Sequence, residues 1–180
     1  MKKLLLAALF FISGAASAAT LTFDDLSLGR ITSTYNGFVF DGFTVADNAS
    51  GFGTHASSGS QYAYADCCVN VDSMRRADGS LFNLINGDFS NLQGQNDIYT
   101  VKGFLDGNEL YSVDFKVDGN ITNQVLNFYG VNQVNFSPKP FGSNVALDTL
   151  KTSTVPEPAS IAMVGLGLFG LAALRRKSAK

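Results

Sequence analysis

The chain has 180 residues, 46% of them hydrophobic, and a formal charge of −2 that hides an uneven distribution. Its lysines and arginines gather at the two ends, so residues 20–154 hold fourteen acidic against seven basic side chains, a net −7. An acidic middle of single-domain length, with no basic patch, one histidine and two adjacent cysteines, excludes nucleic-acid binding and a zinc site built on separated Cys/His pairs.

The N-terminus, "MKKLLLAALFFISGAASAA", runs from Lys2 and Lys3 through an apolar stretch to the small residues Ala16, Ser17 and Ala18. That order predicts a secretory signal peptide over residues 1–19, cut after Ala18 or Ala19. Its apolar run, residues 4–12, is far shorter than the 20 or so residues that span a bilayer.

From there glycines and turn residues punctuate the chain, and the apolar residues between them alternate. "ATLTFDDL" and "GFVFDGFTV" read as the first strands. A glycine- and serine-rich loop, "GFGTHASSGSQYAY", follows, and then Cys67 and Cys68. "DIYTVKGFLDGNE" supplies a strand and the Asp106-Gly107 turn of a hairpin. In "ELYSVDFKVDG", Tyr111, Val113, Phe115 and Val117 face one way while Ser112, Asp114 and Lys116 face the other, the pattern of a half-buried strand. "NQVLNFYGVNQVNFSP" reads as two short strands around Gly130, and "NVALDTL" as a last strand over residues 145–150. No window has helical period. The expectation is an all-β ectodomain over residues 20–152: eight to ten strands in a two-sheet antiparallel sandwich with jelly-roll wiring.

The tail, residues 153–180, opens with Val155-Pro156-Glu157-Pro158, continues as an apolar helix over 159–174 and ends in Arg175, Arg176 and Lys177. The stretch 158–174 gives about 25 Å of helix against roughly 30 Å of hydrocarbon, a marginal span that snorkelling arginines help to complete. The positive-inside tendency keeps the basic cluster cytoplasmic and everything before Pro156 outside. Pro156 and Pro158 hold the preceding segment extended, as a protease requires.

This order of tripeptide, apolar helix and basic cluster resembles the PEP-CTERM sorting signal. The resemblance implies an exported protein of a Gram-negative bacterium that makes extracellular polysaccharide and biofilm. It also implies exosortase, a membrane-embedded thiol protease, as partner, and a membrane-anchored intermediate on the way to the cell surface or matrix. Val155, Pro156, Glu157, Pro158, Arg175 and Arg176 would be the residues recognised or processed. The middle, from "TFDDL" to "ALDTL", resembles a recurrent ectodomain found before such tails, similar in turn to jelly-roll modules that often bind carbohydrate. Such modules commonly hold calcium where first and last strands meet. Asp24, Asp25 and Asp148 are the candidate oxygen ligands here, against the alternative of solvated acids at strand ends. The Asp-Asn pair usual before the last apolar residue is Asp148-Thr149 in this chain, which weakens that role.

Sugar binding favours exposed aromatics. Without tryptophan, Tyr62 and Tyr64 in "SGSQYAY" are the candidates for ligand contact, while Tyr111 belongs to the core. Cys67 and Cys68 admit three readings: a strained vicinal disulfide, two buried thiols, or intermolecular crosslinks. His55 with Ser57, Ser58 or Ser60 and an aspartate composes a triad only on paper, since no strained nucleophile turn is present. Glu109 is the middle's one glutamate and sits at a hairpin turn. The expectation is a noncatalytic surface or matrix protein that binds exopolysaccharide. A secreted carbohydrate-active enzyme and a purely structural surface protein are the alternatives.

Overall fold

The computed structural model describes residues 17–65, 71–139 and 143–155, all within one compact unit, Ser17–Val155. The described residues form twelve strands: β1 (Ala18–Leu21), β2 (Gly29–Arg30), β3 (Phe38–Asp41), β4 (Phe43–Asp47), β5 (Gln61–Ala65), β6 (Asp72–Arg76), β7 (Phe82–Asn91), β8 (Asp97–Leu105), β9 (Asn108–Val117), β10 (Thr122–Val131), β11 (Gln133–Lys139) and β12 (Val145–Thr154). They form two antiparallel sheets. One has seven strands in the order β10-β7-β12-β5-β4-β2, with β1 also paired to β12; the other runs β3-β6-β11-β8-β9. The expected all-β, two-sheet sandwich is what the chain builds.

Alternation sorts the side chains. Tyr111, Val113, Phe115 and Val117 of β9 pack against the core, and between the sheets lie Phe38, Phe43, Phe82, Phe89, Phe128 and Phe136, all buried. Phe43 meets Phe40 and Phe136 edge-on, with ring centroids 5.7 and 5.5 Å apart. Such contacts add about 0.5–1.5 kcal/mol each beyond the burial of area. Asp106 and Gly107, with φ of 49° and 80°, make the expected two-residue hairpin between β8 and β9.

Three boundaries differ from the sequence reading. "GFVFDGFTV" is two strands in different sheets, because Gly42, with φ of 88°, turns a corner where an added Cβ would run into the Asp72 carboxylate. Gly130 lies inside β10 at an irregularity of register, so the turn comes later, at Asn132. The sandwich also extends past both expected ends: Ala18 and Ala19 pair with Ser153 and Thr152, and the Thr154 amide donates to the Ser17 carbonyl at 3.0 Å. First and last strands do meet, β1 against β12, but Asp24 and Asp25 fall in the turn after β1 rather than on it.

Candidate functional site

The outer faces of the two sheets differ. On the seven-stranded sheet, Ala46, Tyr62 and Ala146 face outward on β4, β5 and β12, and they are covered. The cover is the loop 48–60, whose Ala56 joins them, with Leu92, in a second small apolar cluster. So few apolar contacts need polar fastenings. Asn48 Oδ1 accepts the amides of His55 and Ala56 at 3.0 and 3.1 Å. Asp148, from β12, accepts the amides of Ser57 and Ser58 at 2.9 and 2.8 Å, both their hydroxyls, and the Thr149 amide at 2.6 Å. Asp24 accepts the amides of Ser60 and Gln61 at 2.8 and 3.1 Å. Gly59, with φ of 51°, lets its backbone lie against the Asp24 carboxylate where a Cβ would collide.

This arrangement reassigns several residues. Tyr62 was expected to be free for ligand contact, but it is fully buried under the loop, its ring 5.6 Å from that of His55. Burial pushes its phenol up to about 12. Tyr64 is half-buried against Phe52, with centroids 6.0 Å apart. Asp24 and Asp148 do reach the same loop, yet each is occupied with backbone amides. Asp25 is beside the Tyr35 phenol, which burial and then this contact hold above its ordinary value. Among the described residues no three His, Cys, Asp or Glu side chains converge as metal ligands, so Asp24, Asp25 and Asp148 do not form one cluster. Burial raises the Asp148 carboxyl, opposed by the hydrogen bonds from Ser58, Thr149 and Ser57.

His55 is buried, with Nδ1 at 2.8 Å from Ser90 Oγ and Nε2 at 2.9 Å from the Phe52 carbonyl. Since a carbonyl only accepts, the proton on that side is carried by Nε2. Both ring nitrogens are thus engaged with the loop and β7, while Ser57 and Ser58 donate to Asp148 instead. The triad drawn on paper does not assemble, and His55 is instead a buried residue that ties the loop to β7. Glu109 pairs with Lys102 at 2.7 Å. Cys67 and Cys68, like Pro156, Glu157, Pro158, Arg175, Arg176 and the apolar helix over 159–174, lie outside the described residues. Val155 is the last described residue, its amide 3.5 Å from the Leu81 carbonyl.

Among the described residues nothing covers the outer face of the five-stranded sheet. Asp41, Ser73, Asn135, Lys102 and Ser112 stand in register across β3, β6, β11, β8 and β9, a polar row crossing every strand, and none of them is buried. Beside it runs a second row of Val39, Arg75, Gln133 and Phe104, with Glu109 at its end past a bulge. The polar groups hold one another: Arg75 lies 3.5 Å from Asp41, Lys102 2.7 Å from Glu109, and Gln133 Nε2 donates to Asn135 Oδ1 at 2.6 Å. Further along, Asp114 accepts from Thr100 at 2.7 Å and pairs with Lys139 at 3.2 Å, and these two contacts hold its carboxyl below its usual range. A hollow of about 290 Å³ beside the middle of the second row is lined by Arg75, Arg76, Gly79, Gly107, Asn132 and Gln133. With strands about 4.8 Å apart, the row spans roughly 19 Å. Only its β9 member, Ser112, was foreseen, on the polar side of that strand with Asp114 and Lys116. The rest depends on which strands become neighbours.

Residues 154–177 match the family described as the PEP-CTERM protein-sorting motif. The chain carries a PEP-CTERM sorting motif. That motif marks an exported protein, anchored at the membrane and then processed, and it begins on the last residue of β12. No curated protein sequence matches the chain. Among solved structures, the sandwich is similar to a DUF4465 family protein from Bacteroides caccae ATCC 43185, with a TM-score of 0.55 and 13% identity over 77% of this chain and 100% of that one. It is also similar to the CBM22-1 xylan-binding domain of Paenibacillus barcinonensis Xyn10C, with a TM-score of 0.52 and 16% identity over 80% and 98%. A carbohydrate binding module of family 29 gives 0.50 and 13% over 78% and 90%. At such identities the likeness is one of fold.

Proposed function

We propose that the PEP-CTERM protein is a noncatalytic surface or matrix component, sorted by exosortase, whose five-stranded sheet binds the extracellular polysaccharide of the producing cell along its open outer face. The observation that carries this reading is the row Asp41, Ser73, Asn135, Lys102 and Ser112. Sugar hydroxyls donate and accept at once, and a strip of carboxylates, amides, hydroxyls and an ammonium offers both kinds of partner in a fixed geometry. The strip has room for several linked sugar rings laid across the strands. The Asp41, Asn135 and Lys102 side chains are already held by neighbours, which lowers the ordering cost of binding. Phe104, half-buried in the adjacent row, is the aromatic nearest to hand for stacking. With one such ring, the binding is of the weak, hydrogen-bonded kind that many copies on a surface make effective. The fold likeness to carbohydrate binding modules supports the reading without supplying the ligand.

The purified exported protein should be retarded in gels that contain the cell's own polysaccharide. Asn135→Ala with Lys102→Ala should weaken that retardation about tenfold, the worth of one or two hydrogen bonds. Release of sugar from the polymer by the pure protein would favour the enzyme instead.

A further inference from the structure

Three Asn-x-Ser/Thr triplets occur in the chain: Asn48-Ala49-Ser50, Asn120-Ile121-Thr122 and Asn135-Phe136-Ser137. In an exported protein this pattern is a glycan acceptor only where the asparagine lies on an exposed, bendable segment with a free carboxamide. The structure separates the three. Asn48 spends its carbonyl oxygen on the amides of His55 and Ala56, inside the covering loop. Asn135 stands on β11 between β6 and β8, accepts from Gln133, and is followed by the fully buried Phe136. Asn120 lies in the link 118–121 between β9 and β10, exposed along with Ile121 and Thr122, and its carboxamide makes no hydrogen bond among the described residues. Its backbone amide donates to Asp118 Oδ1 at 2.8 Å, which bends the link outward as an Asx turn.

We infer that Asn120 is an N-glycosylation site, modified by a membrane oligosaccharyltransferase of the exporting cell with a polyprenyl-diphosphate-linked oligosaccharide as donor. Nδ2 of Asn120 attacks the anomeric carbon of the donor. The carbon–nitrogen bond forms, the bond from that carbon to the diphosphate oxygen breaks, the amide proton passes to a base, and polyprenyl diphosphate leaves. Thr122 supplies the hydroxyl that such an enzyme reads two residues downstream. Asp118, two residues upstream, adds a carboxylate that a cationic groove can pair. A glycan also suits the strand that follows. β10 is the edge of the seven-stranded sheet, no charged residue occurs over 119–138, and Val125 and Tyr129 are 54% and 53% exposed. Open edges are normally guarded by charge or bulk, and a sugar chain at the start of β10 provides bulk where charge is missing.

The test is intact mass and electron-transfer peptide mapping of the full protein recovered from the producing cell, beside Asn120→Gln, Thr122→Ala and Thr122→Ser. The expected result is a glycan mass on Asn120 in the unaltered protein and in Thr122→Ser, absent from Asn120→Gln and Thr122→Ala. Because Asn120 lies in an exposed link and Thr122 is exposed at the first position of β10, each variant should keep the parent melting temperature. An unmodified Asn120 in the unaltered protein, a glycan that persists in Thr122→Ala, or modification confined to Asn48 or Asn135 overturns the assignment.

Discussion

The two outer faces of this sandwich follow opposite plans. The seven-stranded sheet turns Ala46, Tyr62 and Ala146 outward and must hide them, which it does with a loop too poor in apolar residues to hold itself down. Asp24, Asn48 and Asp148 therefore fasten that loop by its backbone amides. The five-stranded sheet turns Asp41, Ser73, Asn135, Lys102 and Ser112 outward and needs no cover. Acids on one face act as structural clasps, and polar groups on the other are at the surface. A residue's chemistry alone does not say which it is. The covered face should lose stability when altered, and the open face should lose binding.

The largest effect is expected at Asp148. Asp148→Ala leaves the amides of Ser57, Ser58 and Thr149 without their acceptor, at a cost of about 3 kcal/mol. At roughly 4 °C per kcal/mol for a domain of this size, the melting temperature should fall by about 12 °C. A drop of only a degree or two would mean that the loop is not clasped there. Gly59→Ala comes next, since the new Cβ meets the Asp24 carboxylate at a backbone conformation that side chains rarely adopt. About 1–3 kcal/mol should be lost, read by thermal unfolding.

On the open face, Lys102→Ala removes an exposed ion pair with Glu109 and should change stability by less than about 0.5 kcal/mol. A large loss would make that face structural after all. The smallest effect at neutral pH belongs to Tyr62→Phe. The Tyr62 hydroxyl is buried with no hydrogen-bond partner among the described residues, so its removal should be neutral or slightly stabilising. At alkaline pH the comparison sharpens. The phenol is pushed up to about 12 in the folded protein, against about 10 when unfolded, so the unfolded chain releases its proton first. Stability then falls as pH rises from about 10 towards 12. Melting curves across that range should show a shallower fall in Tyr62→Phe than in the parent, with Tyr99, also raised by burial, contributing to both.

Strand identity was legible in the sequence wherever alternation ran long, as in β9, and the Asp106-Gly107 turn announced its hairpin through the conformations that only such residues favour. The corner at Gly42 was not, because a glycine between two apolar runs reads as part of one strand until the sheets are known to part there. Site residues fared less well, for a physical reason. Tyr62 and Tyr64 follow a glycine- and serine-rich loop that promises exposure, but the loop folds back over the sheet, and a fold-back is a tertiary event with no periodic signature. Asp148 was noticed as an acid on the last strand, yet its task depends on the distant amides of Ser57 and Ser58. The polar row needs five strands in one order and one register, of which the sequence supplies the members and not the alignment. The tail was different: its signal is local, contiguous and ordered, so it could be read directly.

The central claim is that the open face of the five-stranded sheet binds polysaccharide while the covered face does not. Affinity electrophoresis tests it most directly, taking each protein's mobility with the producing cell's polysaccharide relative to its mobility without. The account predicts that the unaltered protein and Phe52→Ala, on the covering loop, are retarded equally. Asn135→Ala with Lys102→Ala, at an unchanged melting temperature, should run nearly as it does in polymer-free gel. Equal retardation of that double variant, or loss of retardation in Phe52→Ala alone, would contradict it.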